Sequence, residues 1–402
     1  MISNTYSSGA DQTPLHKHIK IHPELLNRII DFYQLPVKTA LPAQSGYRNT
    51  SIPLPLKLPL DLTAAGDYPL AAVDKVNLIL FKDEPRILTR RQNASRITSW
   101  LAKQGFPVRL MLGPLPDPKT NKIAPSSKIL AISRPSQQPA SSKTKKRLAG
   151  VFTFLPGETI SWDAYTQKHL KLAGQMMSQL HTALARMPEK IEQHLPKQAV
   201  ELATLSRRMK QYFQQPAVRT ALDKKLSLSI NPDWFSAQKK ILEALTQIKT
   251  SQALHMDFVR SNLLFQQQPA AALADKPAQQ KFSLDYHSTQ SDPCLAISGV
   301  LDFEKAAVGP KIIDIARTMA FLLVDCKYKT DQQIRKYFLH SGYRKRGSSD
   351  LSNLELLNPL ISFFWSYDFY KFLRHNPYQF LPKNQHFVRT KQFLLERNIV
   401  SE

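Results

Sequence analysis

Cysteine is almost missing from this chain: two, Cys294 and Cys326, in 402 residues. They can form at most one disulfide and lack metal-site spacing, which excludes a disulfide scaffold or a zinc module and leaves small, reduced side chains. Long apolar runs are missing as well. The opening MISNTYSSGADQTPLHKHIK has none of signal-peptide length, and no later stretch approaches the roughly 20 apolar residues of a membrane span. A soluble, cytoplasmic protein without a membrane span is expected. Acids are the third shortage, 31 Asp and Glu against 55 Lys and Arg, a formal net charge of +24. A field of that sign attracts nucleic acid, anionic lipid or anionic small molecules and repels polycations.

What the chain does contain is a pair of short segments, HMDFVRSNLLF from His255 and GVLDFEKAAVGP from Gly299. The first holds Asp257 and, five residues on, Asn262 before an apolar triplet; the second delivers Asp302 from the apolar run Ile297 to Leu301. A hydroxyl attacking the γ-phosphate of a nucleotide needs a carboxylate to orient it and take its proton, and hard oxygen ligands to hold Mg²⁺ against the phosphates. Asp257 suits the first task, Asn262 and Asp302 the second. His255 would fix the loop from behind by hydrogen bonds. Alone, such a run arises by accident, with Asp257 as a helix cap and Asn262 as a turn residue. Two motifs in order, with flanking strands and Gly309-Pro310, make the accident the poorer account.

The order His-x-Asp-(x)4-Asn, strand, Asp-Phe-acid, Gly-Pro and then Asp314 within IIDIARTMAF resembles the aminoglycoside phosphotransferase and choline kinase superfamily, including its homoserine-kinase-like branch. The resemblance implies an α+β, two-lobed protein-kinase-like fold, with a small antiparallel-sheet lobe and a larger, mainly helical lobe. It implies Asp257, supported by His255, as catalytic base, Asn262 and Asp302 as metal ligands, and Asp314 as a brace beneath the loop. Mg²⁺ and ATP (or GTP) as co-substrate come with it. Met256 stands where the family prefers glycine. The length also suits two lobes, since single cores stop growing at about 250 to 300 residues. The expected division is an N-terminal helical extension over 1–40, a small nucleotide-covering lobe over 41–152, and a large catalytic and acceptor-binding lobe over 153–402.

Helical spacing of Leu25, Ile29 and Phe32 predicts a helix over Pro23 to Tyr33. From Leu41 to Leu80, apolar runs broken by Pro and Gly predict short antiparallel strands, with a turn at Ser45, Gly46 and Asn49. That turn either covers phosphate, as a glycine-poor cradle, or is only a hairpin. Lys82 ends VNLILFK, where the family places the lysine that pairs with the α/β-phosphates. The next helix, Ile87 to Lys103, contains no acid to partner it, a departure that leaves its arginines or Glu84 as substitutes. The Pro-, Lys- and Ser-rich residues 113–147 read as a mobile hairpin tip. VFTFLPGETI, Val151 to Ile160, resembles the family's inter-lobe segment that meets the nucleotide base, with Gly157 as the turn and Glu158 as the usual acid. Tyr165, His169, Leu172, Met176 and Leu180 form a core stripe, and His181 reads as a buried structural histidine.

Two functions of different class remain. The first is a small-molecule kinase moving the γ-phosphate to a hydroxyl of an anionic or zwitterionic metabolite, because the charge and Arg317, Lys327 and Arg344 argue against polycationic acceptors. The alternative is a catalytically inactive kinase-like binding module that uses its basic surface on nucleic acid, the less favoured partner. No activation segment ending in Ala-Pro-Glu follows Asp302, which argues against a protein kinase.

Overall fold

Alternating side chains build the first layer. The structure, a computed structural model, describes residues 23–45, 49–61, 72–81, 84, 86–115, 128–133, 146–269, 293–344 and 353–402. Gly46, Lys82, Lys345, Arg346, most of the expected hairpin tip and most of the Gln- and Pro-rich insert before Cys294 lie outside them. In β2 (Thr50–Asp61), Ile52, Leu54 and Leu56 face inward, and in β3 (Ala72–Phe81) Val76, Leu78 and Leu80 do the same. They meet Ile29 and Tyr33 of α1 (Pro23–Tyr33), so the first helix covers this face of the sheet. The six strands are antiparallel: β1 (Gln44–Ser45), β2, β3 and β6 (Lys146–Thr153) in order, then β4 (Met111–Leu112) and β5 (Leu130–Ser133) both along the far edge of β6.

The helix α2 (Ile87–Lys103) follows β3 but does not join that core. Its Ala94, Ile97 and Leu101, with Val108 and Leu110, belong to the apolar cluster of the large lobe. Its Ile87 alone enters the sheet's second face, among Ile79, Phe81, Met111, Ile129 and Phe152.

The large lobe is mostly helical. The helix α3 (Gln167–Leu184) opens with a capping box between Thr166 and His169 and buries Leu172, Met176 and Leu180. The prolines then punctuate the chain. The short α4 (Glu189–Glu192) ends before Pro196; after α5 (Gln198–Phe213), Pro216 opens α6 (Pro216–Leu226), and Pro232 caps α7 (Asp233–Thr246) beyond β7 (Ser229–Ile230). Two short antiparallel pairs follow, β8 (Gln252–Leu254) with β11 (Ala307–Gly309), and β9 (Leu263–Pro269) with β10 (Pro293–Val300). The centre of the lobe is α8 (Lys311–Asp325), whose Ile313, Ile315, Ala316 and Met319 are fully buried. The helix α9 (Asp331–Ile334) runs into a wide π turn, Arg335–Tyr343, where Gly342 packs on Gly174 of α3 at a distance only glycines permit: an added Cβ at Gly174 would lie 3.0 Å from the Gly342 Cα. The aromatic-rich segment FFWSYDFYKFLRHNPYQF, from Phe363, lies mainly in α10 (Leu357–His375), whose Phe363, Trp365 and Phe369 are core; α11 (Gln385–Glu396) and β12 (Val400–Ser401), which pairs with β7, close the chain. Among the described residues no helix is long and apolar enough to cross a membrane.

Candidate active site

The turn between β8 and β9 is held by one carboxylate. Asp314, fully buried in the first turn of α8, accepts the backbone N–H groups of His255 (2.8 Å) and Met256 (2.9 Å) and a bond from His181 Nε2 (3.1 Å). Burial opposes its charge, but these partners, His181 foremost, keep it below the usual carboxylate range. The turn it holds is tight. Met256 has φ +62°, a conformation that costs a non-glycine residue about 1–2 kcal/mol.

His255 ties this turn to the second motif. Its Nδ1 accepts the N–H of Asp257 (3.1 Å), which assigns the proton to Nε2, and that nitrogen donates to the carbonyl of Leu301 (3.0 Å). Burial lowers its pKa, so the ring is neutral. Asn262 completes the frame. Its Nδ2 donates to the Asp257 carbonyl (2.8 Å) and lies 3.4 Å from Asp257 Oδ2, while its own carbonyl accepts from Leu301 N (2.8 Å). His255, Asp257, Asn262 and Asp302 are thereby drawn together at the ends of β8, β9 and β10. Asp302 itself is exposed and adopts φ +62°.

Lys305 was not foreseen. The short turn Phe303–Lys305 folds its ammonium back to Asp257 Oδ1 at 2.7 Å. Burial raises the Asp257 pKa, yet Lys305, then Arg317 and His255, bring it below the ordinary carboxylate value, so the carboxylate is ionised. Arg317 lies among Phe321, Phe364 and Tyr367, 4.4 to 5.5 Å from their ring centroids, and 3.5 Å from Asp368, which Lys371 also contacts at 2.6 Å. Those two cations outweigh burial and hold Asp368 at about 2. Tyr343 instead tucks behind α3, its hydroxyl 2.7 Å from His181 Nδ1.

The other wall comes from the sheet side and the inter-lobe segment. Gly157 has φ +105°, and a side chain there would press on Ser298 and on the Phe265 carbonyl. The next residue, Glu158, has an exposed side chain and exchanges two 2.9 Å backbone bonds with Phe265 of β9. Asn49 directly precedes β2. Glu84 reaches Arg90 of α2 at 3.8 Å. Arg91, one residue on, is paired with Glu304 and lies over Phe81, 4.0 Å from the ring centroid. Nothing local in the sequence marked either the Arg91–Glu304 pair or Lys305.

The donor set can be matched to a cation. Asn262 spends its amide nitrogen on Asp257, which leaves its oxygen to act beside the Asp302 carboxylate, and the described residues include no cluster of three His, Cys, Asp or Glu side chains. Two hard oxygens suit Mg²⁺ shared with phosphates and water, and not an all-protein cage.

No protein-family model matches the chain, and no curated protein matches its sequence. Solved structures do match. The amicoumacin kinase hAmiN, in complex with AMP-PNP, Ca²⁺ and Ami, superposes with a TM-score of 0.57 at 12% identity over 93% of both chains. An aminoglycoside 2'-phosphotransferase-IIIa mutant in its GDP complex gives 0.54 at 12%, covering 93% of this chain and 99% of that one. APH(2")-IIia with GDP and kanamycin gives 0.51 at 14%, covering 93% and 98%. The chain therefore shares the two-lobed, kinase-like fold of these solved phosphotransferases, a sheet lobe on a helical lobe.

Proposed function

We propose that the protein transfers the γ-phosphate of ATP or GTP to a hydroxyl of a small anionic or zwitterionic molecule. The observation that carries this is the ionised, nearly buried Asp257, locked by Asn262 and Lys305 and joined through Leu301 to Asp302. In that geometry Asp257 orients the attacking hydroxyl and takes its proton, while His255 keeps the loop in register. Asn262 and Asp302 would hold Mg²⁺, which when bound neutralises charge on the phosphates. Gly157 would adjoin the base; the Glu158 backbone is already paired with Phe265, which leaves its exposed side chain for the nucleotide, and Asn49 at the start of β2 would lie toward the phosphates. The neighbours named above were solved with AMP-PNP or GDP, which supports a nucleotide in this cleft and leaves the base open.

The acceptor side is cationic. Lys305, Arg317 and Lys371 face Asp257 and Asp368, an excess of one positive charge in keeping with the +24 of the chain. An acceptor with a carboxylate or phosphate beside its hydroxyl fits better than a polyamine. The test is a screen of hydroxylated metabolites with Mg²⁺ and ATP or GTP, read as nucleoside diphosphate release and repeated with Asp257→Asn. Acceptor-dependent turnover lost in the variant is expected. Turnover surviving within a few-fold would remove Asp257 from the chemistry.

One observation favours the second reading, a binding module inactive in transfer: Arg91 engages Glu304, and α2 has no acid to orient Lys82. No turnover in the screen, with nucleic-acid binding that persists at physiological salt, would decide for that module.

A further inference from the structure

Helix α2 presents arginines where an acid is missing. Arg90 points outward, its side chain 43% exposed; Arg91 turns inward, its side chain 8% exposed, onto Phe81 and Glu304. A second guanidinium reaches the same place. Val108 bridges Val300 and the Pro107 carbonyl accepts from Val300 N (2.8 Å), which sets Arg109, between the core residues Val108 and Leu110, against the end of β10 two residues before Asp302; the charges acting on it are those of Arg91 and Asp302. Burial first, then Arg91, pulls its pKa down to about 10, against the attraction of Asp302. Neither Arg91 Nε nor Arg109 Nε has a hydrogen-bond partner among the described residues.

A buried cation beside a partly buried one is an unfavourable way to stabilise a fold, since the desolvation of each is repaid only by well-placed anions. Glu304 serves Arg91. No described residue forms an ion pair with Arg109, and the nearest acid acting on it, Asp302, is a metal-ligand candidate with an exposed side chain. Such a cluster becomes favourable when a dense anion enters beside Asp302, and guanidinium forks match phosphate oxygens in pairs.

We propose that Arg91 and Arg109 are the phosphate-positioning residues of this cleft, gripping the non-transferred phosphates beside Asp302, with Glu304 in place of a helix acid to hold Arg91 in reach. The proposal rests on the nucleotide reading above and shifts the burden usually placed on a lysine and helix-acid pair to two arginines. Glu304 keeps the Arg91 fork aimed when no nucleotide is bound, and Arg109 is the group with most to gain from it.

The experiment uses the full chain and reads binding, not turnover. Calorimetric titrations with Mg·AMP-PNP, AMP and inorganic tripolyphosphate are made on wild type, Arg109→Met, Arg109→Lys and Arg91→Lys. Arg109→Met keeps bulk without the charge, so its melting temperature should be unchanged or raised, while Mg·AMP-PNP and tripolyphosphate bind at least ten-fold more weakly and AMP, which keeps only the α-phosphate, loses less. Both lysine variants should fall between, keeping charge but losing the fork. Equal losses for AMP and AMP-PNP, or no loss for either, would overturn the proposal and make the arginines structural. Wild type that binds AMP-PNP with variants unchanged defeats this inference alone; wild type that binds neither nucleotide nor tripolyphosphate defeats the nucleotide reading with it. Arginine-dependent tripolyphosphate binding without any transfer would leave the inference standing and the transfer reading in doubt.

Discussion

On the large-lobe wall of the cleft the key polar groups are tied to one another: Asp314 to two backbone N–H groups and His181, His255 to Asp257 and Leu301, Asn262 to Asp257, Lys305 to Asp257. Beside it, along α2 and the residues just beyond, Arg91 has a single acid and Arg109 has none at bonding distance among the described residues. A wall whose groups satisfy each other is set before ligand arrives, the condition for orienting a nucleophile. A wall of cations short of anions is completed by its ligand. The chemistry and the grip on phosphate are thus separable by mutation.

The largest effect should come from Asp257→Asn, which keeps the shape of the turn but removes the base: transfer is expected to fall about 10²- to 10⁴-fold with Mg·nucleotide affinity nearly unchanged. An equal loss of affinity would blur the two walls into one. Next comes Asp314→Ala, which strands two buried N–H groups and His181. A loss of about 3–5 kcal/mol is expected in urea unfolding, the range for breaking a buried charged network. A loss under about 1 kcal/mol would mean the turn stands without its brace.

Lys305→Met should act on pH dependence more than on stability, since the lysine side chain is 40% exposed. Removing it lets the Asp257 pKa rise, so the acid limb of kcat/KM should move to higher pH; an unmoved limb would free Asp257 from Lys305. Acid should also weaken the set wall. His255 is held neutral, below its ordinary 6.5, so the unfolded chain binds a proton that the folded chain refuses and stability falls as pH drops below that value. His386 works the other way, raised by Asp325 despite burial, its contribution complete below 6.5 and lost as pH rises through its folded value. Urea midpoints taken from about pH 8 to about pH 5 should therefore decline, and decline more steeply in His386→Gln. A flat profile in that variant would contradict the assignment.

The smallest effect concerns Met256. Its left-handed backbone costs about 1–2 kcal/mol, but its side chain is 6% exposed within the large core, where burial returns about 1.5–3 kcal/mol. Burial wins, so Met256→Gly should destabilise by about 1 kcal/mol, and Met256→Ala, which keeps the strain and loses the packing, by more. Alanine proving milder than glycine would show that the turn is unstrained.

Much of the scaffold was legible in local sequence. Spacing marked a helix over Pro23–Tyr33 and another over Ile87–Lys103, and the prolines at 196, 216 and 232 fall at helix boundaries. The family resemblance carried by the two motifs implied that His255, Asp257, Asn262 and Asp302 meet. What could not be read depends on distant pairs. Lys305 returns to Asp257 because a short turn happens to aim it, Arg91 finds Glu304 across the whole chain order, and the side of α2 that joins the large core is fixed by partners such as Val108 and Leu110. Periodicity gives a face, never its neighbour.

That placement of α2 decides how the molecule can breathe. Ala94, Ile97 and Leu101 anchor it in the large core, Asn93 holds the His194 carbonyl at 2.8 Å, and Val300 N bonds Pro107 O at 2.8 Å just beyond its end. The sheet meets α2 through the thin second-face cluster around Phe81 and Ile87. A rigid-body closure of the lobes would therefore slide the sheet with its covering helix α1 across that cluster, with α2 staying on the large lobe as a fixed rail. Amide exchange should be fastest across the sheet edge and slowest in α2 and α8, so that the helix usually counted with the roof behaves as part of the floor.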